Sequence, residues 1–436
     1  MDILDLLSGP IAALPKLRDA SKDFLTYLRD DVFEPYLTAI GTLNTNDSIT
    51  ASVRHHRHLC RPVCERLAQA VEVYLQGYPH LAYVQIEAAI AQLGPHFTAL
   101  KAVGDMQKNL RFSYRIQGSD VDALDRGRLF HIPFELRHRV KTQRYSIPGL
   151  PSLYLGGSFY VCWEEYGRPP LDDLHVARFE AIETLEIINF GYHPYRMAGL
   201  AATMYHNGVV DPSTAAFVVA QAIAWPLIAT CSIRVPESSV DFKAEYIVPQ
   251  IVLQWVRHHV DFDGIRYFST HVGDVVNDPS DLLTDPVGQV NYVFPVRHPT
   301  DLGYCDVLRS KFRLTIPFAC RDVGNSVMGY GDCPHMNFRI RRNSLVDPPT
   351  QYDLTDLGQI QRHLATLPLD HATWPPAASA NNHIADKRRR WIAENAYMRA
   401  QHDNDSNART ERHWYDAEQE YIVQKILKGQ RLDSFR

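Results

Sequence analysis

The chain has few of the features by which a sequence usually declares its class. Seven cysteines in 436 residues are sparse and odd in number, which excludes a disulfide scaffold and points to reduced thiols in a cytoplasm. Glycine and proline, at 23 and 27 copies, are too few for a collagen-like or low-complexity chain. Neither sign of charge dominates: 45 Lys and Arg against 50 Asp and Glu leave a net charge of −5. There is thus no global field to draw nucleic acid or anionic lipid, and neither is an expected partner. The first residues, MDILDLLSGPIAALPKLRD, have acids where a secretory signal needs bases and prolines where it needs an apolar run, so no signal peptide is read.

Long hydrophobic runs are also scarce. The one uncharged stretch of membrane-spanning length is 212–233, PSTAAFVVAQAIAWPLIATCSI. Gln221, the central Trp225-Pro226 pair and the lack of a flanking Lys/Arg cluster argue against a span. A buried helix over about 213–224, broken at Pro226 and followed by a buried strand over about 227–235, is expected. The phosphate-cradling G-x-x-x-x-G-K-[ST] loop, the G-x-G-x-x-G turn and the G-x-S-x-G elbow are all missing, which excludes the common nucleotide-binding and serine-hydrolase signatures.

Histidine is abundant, with 20 copies. His56, Cys60 and Cys64 recur at four-residue spacing beside His55 and His58, and Cys320, Cys333 and His335 form a looser set. Structural zinc commonly wants paired C-x2-C knuckles, which neither set has, and Pro62 disturbs the helix that the first would need. Buried thiols and surface histidines are the simpler reading, and no metal site is assigned.

The chain divides into three textures. Residues 1–118 read as helical, with apolar positions at three- and four-residue spacing over 19–37, 52–75 and 81–103. Residues 119–330 mix short β-like runs (129–134, 152–156, 185–190, 228–235, 265–269 and 313–318) with helical stretches over 159–166, 215–224 and 245–259, which implies an α+β core. Residues 331–436 form an extension: a helix over 353–366, a Pro/Ala linker over 367–382 and a charged tail over 384–436. That tail suits a solvated helix pair or a partner-docking arm.

Chemistry concentrates in two segments. The first, 128–169, carries His131 on an expected strand, then the cationic cluster Arg137, His138, Arg139, Lys141 and Arg144, able to grip a diphosphate or free phosphate through guanidinium forks. A strand bearing Tyr154 and a short helix bearing Glu164 and Glu165 follow. The second, 245–271, is an amphipathic helix, an Asp-Phe-Asp-Gly turn and a strand ending in Ser269-Thr270-His271. Singly, each residue has a plain structural reading: Tyr154 a packed aromatic, Ser269 a strand-end cap, Arg144 a surface charge paired to Glu135.

In this order the segments resemble the RES domain, whose pattern runs roughly G-G-R-W-N-x-x-G-x-x-x-x-Y-L-A, an acid eleven residues after that Tyr, and a late D-G-I-x-Y-x-S. Here Gln143-Arg144-Tyr145-Ser146 stands for the first part, Tyr154-Leu155-Gly156 for the second, Glu165 lies eleven positions after Tyr154, and Asp263–Ser269 supplies the last. Gln143 and Tyr145 depart from the family's Gly and Trp, and Glu164 competes for the acid position. The resemblance covers about 128–275. It implies a compact ADP-ribosyltransferase-like fold and an NAD+-degrading toxin held in check by an antitoxin with a DNA-binding domain.

On that resemblance, Arg144, Tyr154, Glu165 and Ser269 are the catalytic set. Arg137, Arg139, His131, Tyr145 and His271 are further contacts to the dinucleotide. NAD+ is a substrate rather than a resident cofactor, with water or inorganic phosphate as acceptor. A regulatory protein, or a second copy docking through the helical flanks, is the expected partner. The alternatives are an inactive RES-like binding protein and an ADP-ribosyltransferase acting on a macromolecule.

Overall fold

The computed structural model describes residues 1–101, 113–118, 126–236, 240–270, 290–322 and 356–369. The chain divides into two compact units, Met1–Ala372 and Thr373–Arg436, and all described residues lie in the first. All of the 367–382 linker beyond residue 369, the charged tail, His271, Cys333 and His335 fall outside the described residues.

The N-terminal part is helical, as its spacing implies: α1 Ile3–Ser8, α2 Phe24–Tyr27, α3 Glu34–Gly41, α4 Ser48–His56, α5 Cys60–Leu75, α6 Pro79–Leu93 and α7 Pro95–Thr98. Between α2 and α3 the helix widens into a π-type stretch, Leu28–Phe33. Between α4 and α5 it tightens into a 3₁₀ turn, Arg57–Leu59. Pro62 falls in the first turn of α5, where its missing N–H has no intrahelical acceptor to lose, so the helix runs on.

Later come α8 Phe159–Glu165, α9 Pro194–Asn207, α10 Pro212–Ile223, α11 Trp225–Cys231, α12 Ile247–His258, α13 Asp306–Lys311 and α14 Asp356–Thr366. Among the described residues eight strands form one sheet: β1 Ser113–Gly118, β2 Ser152–Gly156, β3 Leu174–Ala181, β4 Ile187–Asn189, β5 Gly264–Phe268, β6 Val290–Pro295, β7 Phe312–Leu314 and β8 Phe318–Ala319. Its order is β4-β5-β6-β2-β1-β3-β7, with β8 also on β3. Only β4 and β5 pair in parallel; the other pairings are antiparallel. The fold is mixed α and β.

Two expectations for this region change. The run 228–235 is helical over Trp225–Cys231, not a strand. The break comes at Ala224, a 64° bend, and Pro226 sits in the first turn of the new helix. There a proline starts a helix as readily as it ends one. Thr230 and Ser232 then donate back to the carbonyls of Pro226 and Ile228, at 2.8 and 2.7 Å, so neither hydroxyl is stranded. The run 129–134 is no strand either: it joins two 3₁₀ turns, Arg126–Leu129 and Phe134–Arg139. Conversely, 113–118 pairs with β3 over its whole length, so the sheet begins inside the segment read as helical.

Among the described residues no single helix is long and apolar enough to cross a membrane. The α10–α11 pair is instead the centre of the helical layer, with α10 against α4, α7 and α9, and α11 against α5. Trp225 stacks on Tyr36 with ring centroids 3.9 Å apart. Each polar tip finds a carbonyl: Trp225 Nε1 donates to Ala12 at 2.9 Å and Tyr36 Oη to Ala222 at 2.7 Å. The same apolar core takes in Ile188, Phe190, Ile265, Phe268 and Val293 from the sheet. Because helices before residue 101 and strands after residue 187 share one core, the break between compact units falls at Ala372, away from the expected divisions near 118 and 330.

Candidate functional site

The site grows out of the middle of the sheet. Antiparallel register sets Gly156 of β2 opposite Asn291 of β6, and Asn291 opposite Tyr267 of β5. Directly paired residues project to the same side, so this row presents one face, and the alternation along β5 carries Ser269 to it as well. Two glycines allow the close approaches that this requires. A Cβ on Gly156 would come within 2.5 Å of the Cys162 sulfur, and one on Gly264 within 2.6 Å of the Val293 carbonyl oxygen. The first contact lets α8 begin against the end of β2, with Ser158 Oγ capping it by accepting from Val161 N at 3.2 Å.

Helix α8 ends in the two acids, and the structure separates their roles. Glu164 is buried and forms an ion pair with Arg168 at 2.8 Å. Glu165 reaches the sheet, where its Oε1 accepts from Ser269 Oγ and from Asn291 Nδ2, each at 2.7 Å. Both donors are buried, so the carboxylate is held by groups that are themselves held.

Arg144 is buried, not a surface charge paired to Glu135. It donates to the Cys231 carbonyl at 3.4 Å and to Thr270 Oγ1 at 3.2 Å, and its guanidinium lies 5.1 Å from the centre of the Tyr246 ring. Glu135 accepts instead from the Gly303 N–H at 2.7 Å. Tyr154 donates its hydroxyl proton to the Tyr145 carbonyl, which fixes the ring and leaves its face as what it offers. Arg144, Tyr154 and Glu165 line one cavity of about 350 Å³, together with Tyr246, Tyr267 and Asn291.

Burial first, then the nearby Glu165 and Tyr154, push the Tyr267 phenol well above its usual range. Burial raises Tyr246 too, against the opposing pull of Arg144. Both are therefore neutral hydrogen-bonding aromatics at ordinary pH.

Other predicted contacts are not brought to this cavity. Arg137 and Arg139 are exposed on the 3₁₀ turn after Pro133 and do not line it. His131 is buried elsewhere: its Nε2 accepts from the Cys305 N–H at 2.8 Å, so Nδ1 carries the proton given to the Ile132 carbonyl at 2.7 Å. Both ring nitrogens serve the backbone. Tyr145 lies behind the cavity, its buried ring 4.4 Å from that of Tyr267.

The sequence reading missed Asn291, Tyr246, Tyr267 and Thr270. Asn291 had a visible signal, a lone amide in the otherwise apolar strand VNYVFP, since a buried polar group needs a partner. The first metal set finds no support in geometry, and the second has Cys333 and His335 outside the described residues. Cys60 and Cys64 face the core, and burial raises the Cys60 thiol to about 12 and pushes Cys64 up as well. Among the described residues no three metal-type side chains converge.

The arrangement offers a fixed anion, a buried cation and flat aromatic faces around one cavity, a set suited to a substrate that develops positive charge beside a polyanion. No family model matches the chain and no solved structure matches it. A Bacillus subtilis (strain 168) protein named "Putative toxin YopC" is 29% identical over 307 residues, a match covering 68% of this chain and 66% of that protein.

Proposed function

We propose that this protein is an NAD+-consuming toxin that breaks the nicotinamide–ribose bond. The observation that carries the reading is the Glu165 carboxylate, pinned by Ser269 and Asn291 in a cavity that it shares with Arg144 and Tyr154. The order and spacing of these residues resemble the RES domain and its ADP-ribosyltransferase-like core. The name of the Bacillus subtilis relative supports the toxin role.

The nicotinamide nitrogen of NAD+ is already cationic. When its bond to the ribose breaks, the electron pair leaves with neutral nicotinamide, and no general acid is needed. Positive charge develops on the ribose, where Glu165 stabilises it, the usual effect of a preorganised opposite charge. Tyr154 presents its ring to the departing nicotinamide or the ribose, and Arg144 binds phosphate oxygens. Water then adds at the anomeric carbon and loses a proton, giving ADP-ribose; inorganic phosphate would give ADP-ribose-1″-phosphate instead. Ser269 positions Glu165 and is not a nucleophile. A protein that holds such an enzyme in check, in the manner of an antitoxin, is the partner the reading calls for.

The test is incubation of the purified chain with NAD+, with and without phosphate, following nicotinamide by chromatography. Wild type should release it at least 100-fold faster than Glu165→Ala, in line with the cost of removing one preorganised electrostatic group, roughly 10²–10³ in rate. Equal release by the two proteins overturns the reading, and a phosphate-dependent product identifies the acceptor.

A further inference from the structure

Ser152 opens β2, and the structure leaves its hydroxyl with no bond to make. The residue is 5% exposed, yet Oγ has no hydrogen-bond partner among the described residues. It also lines the cavity that holds Glu165, Tyr154 and Arg144. The alternation of the strand puts Ser152, Tyr154 and Gly156 on one face, so the hydroxyl projects from the same surface as Tyr154. A buried hydroxyl without a partner is costly, and an alanine there would remove that cost. A serine at this point makes physical sense where a ligand completes the bond.

Its place along the strand indicates which part of the ligand that is. Glu165 is bonded to Asn291, which stands opposite Gly156. Ser152 lies four residues back, about 13 Å at a strand rise of about 3.3 Å per residue. That exceeds the reach of a nicotinamide–ribose unit and extends beyond a phosphate. Lys141 and Arg144 also line the cavity, supplying cations suited to a diphosphate between the two ends.

We infer that Ser152 is a binding contact for the adenosine half of a dinucleotide whose other half reacts at Glu165, an assignment that rests on the function proposed above. Its hydroxyl bonds a base or ribose heteroatom remote from the bond that breaks, and so sets the preference for a dinucleotide over a mononucleotide.

Calorimetric titration of the full chain tests this with two probes, ADP-ribose and nicotinamide mononucleotide. Ser152→Ala should weaken ADP-ribose by roughly 3- to 10-fold, the ordinary worth of one neutral hydrogen bond, and leave the mononucleotide unchanged. Its melting temperature should equal or exceed that of wild type, since no internal bond is lost. Unchanged ADP-ribose affinity, equal weakening of both probes, a lowered melting temperature, or no ADP-ribose binding by wild type would each overturn the assignment. Nicotinamide release from NAD+ is measured in parallel: its absence in a wild type that binds ADP-ribose tells against the hydrolytic reading, while the titration still decides Ser152.

Discussion

Ser269 and Asn291 donate to the same oxygen of Glu165, each across 2.7 Å. One donor comes from the end of β5 and the other from β6, so the carboxylate is registered to the sheet rather than to its own short helix. Either donor alone can still hold Oε1. Ser269→Ala and Asn291→Ala should therefore each lower kcat/KM for NAD+ by about 10- to 100-fold, the range for hydrogen bonds to a charged group. The double variant should fall by more than the product of the two, because each single variant still keeps one donor on the shared acceptor. Nicotinamide release by the three variants measures this; full additivity would mean that the donors act on separate things.

A second relationship ties the N-terminal segment to the same cavity. Arg18 meets Glu245 at 2.7 Å, with the Glu245 side chain only 2% exposed, and the next residue, Tyr246, lies under the Arg144 guanidinium. Nearby, the Arg234 N–H donates to the Lys16 carbonyl at 2.8 Å. Arg18→Ala would strand a buried carboxylate and should cost about 3–5 kcal/mol, read as a lower urea midpoint. Replacing both partners, Arg18→Met with Glu245→Leu, should restore most of that stability. KM should rise in the single variant as Tyr246 loses its fixed position.

What could be read from sequence follows the range of the interactions concerned. Helices α5 and α6 announced themselves because an amphipathic period is local. The set Arg144, Tyr154, Glu165 and Ser269 came from the resemblance to the RES pattern, not from any local period. Three of these line the cavity, and Ser269 bonds the third, Glu165. Asn291 and Tyr246 were not singled out, since their roles come from sheet register and from a helix-to-loop contact that no local pattern encodes. The run 228–231 has β-branched and apolar residues that favour a strand in isolation; tertiary burial on α5 makes it helical. His131, Arg137 and Arg139 lie away from the cavity, since residue type and charge density in a sequence do not say which surface a side chain reaches.

Asp47 joins two distant helices. It caps α4 by accepting from Thr50 N at 2.8 Å, and Tyr205 of α9 donates to the same carboxylate. Burial pushes its pKa up, but the bonds from Thr45, Tyr205 and Thr50 outweigh that and hold it at about 2. A carboxyl depressed in the folded state stabilises above its unfolded value of 3.8, and that contribution is lost as pH falls towards 2. Asp47→Ala should cost about 1–2 kcal/mol at neutral pH, the range for losing a helix cap. The gap between variant and wild type should narrow in urea titrations between pH 4 and pH 2; a constant gap would mean that the charge contributes nothing.

Lys16 gives the opposite dependence at high pH. Its ammonium donates to the Ile11 carbonyl at 2.6 Å and lies 5.3 Å from the centre of the Trp225 ring. Burial nevertheless lowers its pKa from 10.5 to about 8. Between those two values the unfolded chain holds a proton at this position that the folded chain has released, so this residue makes folding more favourable as pH rises from 8 to 10.5. One proton is worth at most about 1.4 kcal/mol per pH unit. Buried tyrosines and thiols titrate with the opposite sign nearby, so the useful quantity is the difference between wild type and Lys16→Met, which keeps the apolar stem. That difference should shift in favour of wild type across pH 8 to 10.5 in urea denaturation. A flat difference would mean that the ammonium keeps its proton in the folded protein, with the carbonyls and the Trp225 face outweighing the cost of burial.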